Sequence, residues 1–228
     1  MTALPRIRAL STARPSHDIH AAFIDWAEAQ ITDPRAQAVF RRMASRSGID
    51  HRYAVLPPTP QGGSPVSAGG FYDGPPPGTA ARMALYADYA PALALEAIKG
   101  LKADVRDVTH FIVASCTGFV APGVDQILAH HLNLSPDVER LLVGFMGCYA
   151  AVSALRSALH IVRSQPHAKI LVVTVELSCL HLNATQDIES LLAMLQFGDG
   201  AAAALVTSEG PGLALYDPFA TTLPDSAD

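Results

Sequence analysis

Cysteine is scarce in this chain: three thiols, Cys116, Cys148 and Cys179, stand among 228 residues. They form no CxxC pair, have no histidine at metal-ligand spacing, and leave one over in any pairing. Neither a disulfide framework nor a metal site is indicated, and reduced thiols in a cytoplasmic protein are expected. A secretory leader is also missing, because Met1 to Leu10 mixes Pro5, Arg6 and Arg8 with isolated apolar residues. The apolar run Leu141 to Leu155 falls short of the roughly 20 residues that span a bilayer and is interrupted by Gly144, Gly147 and Ser153, so no membrane span is expected. Positive charge is not in excess. With 16 basic and 21 acidic residues the formal net charge is −5, which gives no electrostatic footprint for nucleic acid or an anionic membrane.

Half of the residues are hydrophobic, enough for a sizeable core. Between His17 and Ser47 the apolar positions recur at helical spacing on either side of Asp33-Pro34, which predicts two helices joined by a turn. Leu56 to Gly78 is dense in proline and glycine and reads as a long, partly ordered surface loop. An alanine-rich helix is expected from Thr79 to Lys102. Beyond it, strands at His110–Ser115, Arg140–Phe145, Lys169–Val175, Ala201–Thr207 and Leu213–Tyr216 alternate with helices at Val124–Leu132, Tyr149–Arg163 and Ile188–Gln196. Continuous apolar strands separated by helices indicate an α/β fold with a mostly parallel mixed sheet covered by helices on both faces.

Chemistry is concentrated where Leu141-Leu142-Val143 runs through Gly144 and Gly147 into Cys148-Tyr149-Ala150. Glycine allows a sharp turn there, and Cys148 falls at a helix start, where unpaired N–H groups and the positive dipole end favour a thiolate. A thiolate is the form that attacks thioesters. Cys116 and Cys179 end strands with no helix opening on them, and read as small buried hydrophobes.

Four segments together resemble the type III polyketide synthases, the chalcone and stilbene synthase family of the thiolase superfamily. They are Arg46-Ser47-Gly48-Ile49-Asp50-His51-Arg52-Tyr53, the run Ser115 to Asp125, the turn Gly147-Cys148-Tyr149-Ala150, and Gln196-Phe197-Gly198-Asp199-Gly200-Ala201. The resemblance follows the family's order over residues 1–228 and implies a thiolase-like half-fold, the N-terminal domain, with the C-terminal half of the family fold absent. It makes Cys148 the nucleophile that takes an acyl group from acyl-CoA before decarboxylative condensation with malonyl-CoA. It needs no cofactor beyond these substrates, and its complete form is a homodimer. Phe197, Thr117, His181 and Ala121 match cavity positions, and Arg46 and Arg52 match basic residues near the mouth of the pantetheine tunnel. The small Ala121 and the segment Cys116 to Phe119 look like bacterial members with long aliphatic starters, whose products are alkylpyrones or alkylresorcinols. The family's catalytic histidine and asparagine come from its second half, so this chain alone is expected not to turn over. Two alternatives share some of these features: a ketoacyl synthase of the kind that starts fatty acid synthesis, and a non-catalytic half-domain that binds a partner or acyl-CoA.

Overall fold

Strands and helices that mostly alternate along the chain build one mixed sheet. The computed structural model describes residues 3–216, 218–221 and 223, so the expected domain at 1–228 extends past the described residues at both ends. Six strands, β1 (Arg6–Ala13), β4 (His110–Ser115), β5 (Glu139–Gly144), β6 (Ile170–Leu177), β7 (Asp199–Thr207) and β8 (Leu213–Ala214), lie in the order β5-β4-β6-β7-β1-β8. A second ribbon pairs β2 (His17–Asp18) with β3 (Tyr53–Ala54). β4 runs parallel to both β5 and β6, whereas β7 is antiparallel to β6 and to β1. The sheet is therefore parallel at the β5-β4-β6 end and antiparallel beyond it.

Helices cover both faces. On one, α3 (Thr79–Gly100) crosses the sheet and packs Tyr86, Ala90, Leu93, Ala94, Ala97 and Ile98 against Phe111, Val113, Leu171 and Val173, joined by Leu128 from α4 (Val124–His131). These positions recur at helical spacing along one stripe, which the alanines keep narrow enough for close approach. On the other, α5 (Ala150–Ser164) buries Ala150, Ala154, Ala158 and Val162 against Ile112, Ile170, Val172 and Val206. Leu159 and Val162 of α5 are also buried, whereas Val152 near its start remains 41% exposed. Away from the sheet, α1 (His20–Gln30) and α2 (Pro34–Ser45) share a third cluster with α6 (Ile188–Gln196), built on Phe23, Phe40, Leu191 and Leu195. Asp33 caps α2 by accepting from the N–H groups of Arg35 and Ala36, and Pro34 starts the helix without needing a donor.

The apolar pattern does not announce β1. Its residues alternate between half-covered and exposed, and its place is set by seven backbone pairings with β7 and by the Ser11 hydroxyl, which donates to the Ala97 carbonyl of α3. The proline- and glycine-rich segment is held from its far end, where the Tyr72 hydroxyl donates to Cys179 O at 2.7 Å and accepts from Leu182 N at 3.2 Å. None of the helices among the described residues is long and apolar enough to cross a membrane.

Leu171 is fully buried near the start of β6, whereas Leu10 on β1 is 62% exposed. Leu171→Ala should lower unfolding free energy by about 2–5 kcal/mol and Leu10→Ala by less than about 0.5 kcal/mol, read from urea denaturation of the two variants side by side. Equal losses would mean that the sheet is packed on the wrong face.

Candidate active site

The carboxyl ends of β4, β5 and β6 open onto one cavity, and the turn after β5 carries Cys148 into it. Past Gly144 the chain enters left-handed conformation at Phe145 (φ 55°) and Gly147 (φ 64°), then passes through a 3-10 turn, Gly147–Tyr149, into α5. Cys148 thus stands on the last turn before the α-helix proper, as a free and exposed thiol. Glycine at position 147 removes the steric cost of that conformation, while Phe145 bears it with its ring 80% exposed.

The cavity, about 740 Å3, is walled by Cys116 and Thr117 after β4, by Cys148 and Ala151 after β5, by Glu176, His181 and Leu182 on and beyond β6, and by Met194 and Phe197 at the end of α6. Four residues singled out in the sequence, Cys148, Thr117, His181 and Phe197, are brought together here. Ala121 is exposed and does not line it.

Glu176 is the residue that sequence reasoning passed over. Its carboxylate accepts from the Cys116 N–H at 2.8 Å, the Thr117 N–H at 3.0 Å and the Thr117 hydroxyl at 2.7 Å. The Thr117 oxygen accepts in turn from Leu177 N at 2.8 Å, so the loop after β4 is stitched to the end of β6. Burial pushes the Glu176 carboxyl above the ordinary glutamate value of 4.5, against the pull of these donors and of His181. The signal in the sequence was one acidic residue near the end of an otherwise apolar strand. His181 Nε2 lies 2.5 Å from the Thr117 carbonyl oxygen. A carbonyl can only accept, so Nε2 carries a proton and donates it to this hydrogen bond. Behind the loop, the Tyr86 hydroxyl donates to Ser115 Oγ at 2.6 Å, and a Cβ on Gly118 would stand 2.3 Å from the Tyr86 ring. That contact explains the glycine in the Cys116-Thr117-Gly118 segment.

Arg52 corrects an expectation. It is 2% exposed, not beside a tunnel mouth; its Nη1 donates to Met194 O at 2.6 Å and its guanidinium carbon lies 3.9 Å from the Phe23 ring centre. A guanidinium enclosed in this way braces the end of α6, and through it Phe197, and cannot meet a phosphate from solvent. Asp199 completes the brace by accepting from Cys179 N at 2.7 Å and Val55 N at 2.8 Å. Arg46 caps the C-terminus of α2 and is exposed, where a phosphate can reach it. Among the described residues no group of three or more His, Cys, Asp or Glu side chains could hold a metal ion.

Comparison with known proteins agrees with this geometry. Residues 6–210 match the family described as chalcone and stilbene synthases, N-terminal domain. The chain is 39% identical over 129 residues to the alpha-pyrone synthesis polyketide synthase-like Pks18 of Mycobacterium tuberculosis, covering 55% of this chain and 33% of that protein. It is 32% identical over 198 residues to bisdemethoxycurcumin synthase of Oryza sativa subsp. japonica, covering 82% of this chain and 48% of that protein. The crystal structure of PKS-I from the brown alga Ectocarpus siliculosus superposes with a TM-score of 0.77 at 28% identity, over 91% of this chain and 57% of that one. The chain therefore spans between a third and about half of the length of these curated relatives.

Two measurements test the site. Iodoacetamide at limiting dose near neutral pH should label Cys148 first, Cys116 more slowly, and Cys179 only on unfolding, because Cys179 is fully buried and burial pushes its thiol up; faster labelling of either other thiol, mapped by peptide mass, would contradict the placement. In a carboxyl-carbon NMR titration Glu176 should titrate above 4.5, and Thr117→Val, which deletes one donor to the charged form, should raise it further. Since the folded value exceeds the unfolded one, the stability this group contributes is whole below about 4.5 and declines as pH rises through the folded value. A value at or below 4.5 would contradict the burial of the carboxylate.

Proposed function

This chain belongs to the chalcone and stilbene synthase family of type III polyketide synthases, and from that premise we propose that it supplies the nucleophile-bearing half of an acyl-transferring condensing enzyme, with Cys148 as the acyl carrier. The observation that carries the proposal is an exposed thiol on a strand-to-helix turn, opening into a cavity that Thr117, His181 and Phe197 also line.

In the first step the Cys148 thiolate attacks the thioester carbonyl of a starter acyl-CoA, and a new C–S bond to Cys148 forms as the C–S bond to coenzyme A breaks. Coenzyme A leaves as its thiolate, which takes up the proton that the Cys148 thiol gave up. Malonyl-CoA then loses carbon dioxide, and its enolate carbon attacks the acyl carbonyl. The new carbon–carbon bond forms as the C–S bond to Cys148 breaks, which returns the thiolate. The Phe197 ring disfavours the charged malonyl carboxylate beside it and so favours its loss. Thr117 and the Nε2–H of His181 shape the polar wall, and exposed Arg46 is placed to pair with phosphates of coenzyme A. An aliphatic starter, with alkylpyrone or alkylresorcinol products, is supported by the apolar Leu182 and Met194 in the cavity and by the likeness to an alpha-pyrone synthesis protein.

Decarboxylation puts negative charge on the thioester oxygen, and each preorganised donor there contributes about 3–4 kcal/mol. No histidine or asparagine among the described residues hydrogen-bonds the Cys148 thiol, so the family's donors are proposed to come from the complementary half of the fold. The same half and a second copy are proposed to cover an apolar face on which Phe119 is 64% and Phe145 80% exposed, with rings 6.4 Å apart, beside Leu141 and Leu142 of edge strand β5. Ala121, exposed nearby in sequence, is the position proposed to meet the second copy's cavity.

Intact mass after incubation with a fatty acyl-CoA should show one acyl group on the wild-type chain and none on Cys148→Ala, with no sustained release of carbon dioxide when malonyl-CoA is added. Acylation that persists in the variant would assign another nucleophile. Sustained turnover by a monomer would overturn the division of the site between two halves.

A further inference from the structure

We propose that Cys116 and Cys148 form a reversible redox pair: in the presence of a peroxide the two thiols close into a disulfide that masks the nucleophile and that a dithiol reopens. The inference goes beyond acyl transfer and does not depend on it.

The parallel register of β4 and β5 ends with Ser115 opposite Gly144, so the two chain segments leave the sheet side by side. Cys116 is the first residue after β4, Cys148 lies in the turn after β5, and both line the same cavity. Cys116 Sγ lies 3.5 Å from the carbonyl oxygen of Gly147, the residue bonded to Cys148. Standard peptide geometry places the Cα of Cys148 about 2.8 Å from that oxygen, so the Cys116 sulfur is within roughly 6 Å of the Cys148 backbone. A disulfide needs the two sulfurs in contact, with Cα atoms about 4.4–6.8 Å apart, and closing it requires a movement of the Cys148 side chain and its turn toward the Cys116 sulfur. The two sides differ in their freedom to make it. Cys116 is fixed, because its N–H is held by the Glu176 carboxylate. Residues 145–148 are exposed, and Gly147 has nothing within 4 Å of the position where a Cβ would stand. The turn carrying Cys148 can therefore swing toward a stationary Cys116.

The chemistry balances with hydrogen peroxide as the oxidant. The Cys148 thiolate attacks one peroxide oxygen, the O–O bond breaks, and sulfenic acid forms with release of hydroxide, which combines with the proton the thiol gave up to make water. Cys116 then attacks the Cys148 sulfur, the S–O bond breaks, and a second water leaves. Two thiols have lost two electrons to one peroxide. A sulfenic acid without a neighbouring thiol goes on to sulfinic acid, which ordinary thiols do not reverse. Cys116 takes no part in the proposed acyl transfer, and this role gives it one.

The experiment treats the 228-residue chain with a stepwise excess of hydrogen peroxide and tracks intact mass and non-reduced peptide maps. The expected result is loss of the mass of two hydrogen atoms, a peptide linking Cys116 to Cys148, and full reversal by dithiothreitol. Cys116→Ser and Cys116→Ala, each checked for unchanged circular dichroism, should instead gain two oxygen atoms on Cys148 and stay modified after reduction. The proposal is overturned if the wild-type chain gains oxygen at Cys148 without the cross-link, if the link joins Cys179, or if it joins Cys148 of two molecules.

Discussion

Parallel pairing of β4 with β5 on one side and β6 on the other is the constraint on which the site depends. Parallel neighbours present their carboxyl ends at the same edge, so the loops that leave adjacent strands must meet there. Cys116 and Thr117 lie just past β4, Cys148 lies past β5, and Glu176 closes β6. Three segments separated by dozens of residues in the chain thus wall one cavity. α3 and α5 secure the arrangement by covering the two faces of the sheet, and the alanines on both helices bring them close enough to bury β4 and most of β6.

Two carboxylates then fix the walls. Glu176 binds the N–H groups of the loop after β4, and Asp199 binds Cys179 N beyond β6 and Val55 N beyond β3. Burial raises the pKa of each, so holding them charged is costly, and the hydrogen bonds from backbone N–H groups offset part of that cost. Replacing either by an apolar residue would leave at least two N–H groups unpaired. The arrangement ties the shape of the cavity to stability. Thr117, which carries one end of the Glu176 network, also accepts a hydrogen bond from His181 Nε2 on its carbonyl, so Glu176, Thr117 and His181 are joined along the polar side of the cavity.

Most of the regular structure was legible in the sequence because its signals are local. Ile188–Gln196 and His110–Ser115 lie where apolar spacing puts them, and the glycines around Cys148 announced its turn. β1 was not legible, since Arg6 to Ala13 has few large apolar residues and is a strand only because β7 offers it a ladder. The site was half legible for the same reason. Family motifs mark Thr117, Cys148, His181 and Phe197, which share one cavity, but the partners of Glu176 and the enclosure of Arg52 are long-range facts that no local pattern carries. Arg52 was misplaced because the family motif marks it as a basic residue near a tunnel mouth, whereas here Phe23 and the Met194 carbonyl enclose it.

The central claim is that the carboxyl ends of β4, β5 and β6 form a single acyl-CoA cavity around Cys148. Hydrogen–deuterium exchange with a non-reactive thioether analogue of an acyl-CoA tests it directly. Slowed exchange should appear together at 114–119, 145–151, 176–182 and 194–198, which adjoin in space and not in sequence. Protection confined to one of these segments, or lying on α4 or β8, would contradict the account.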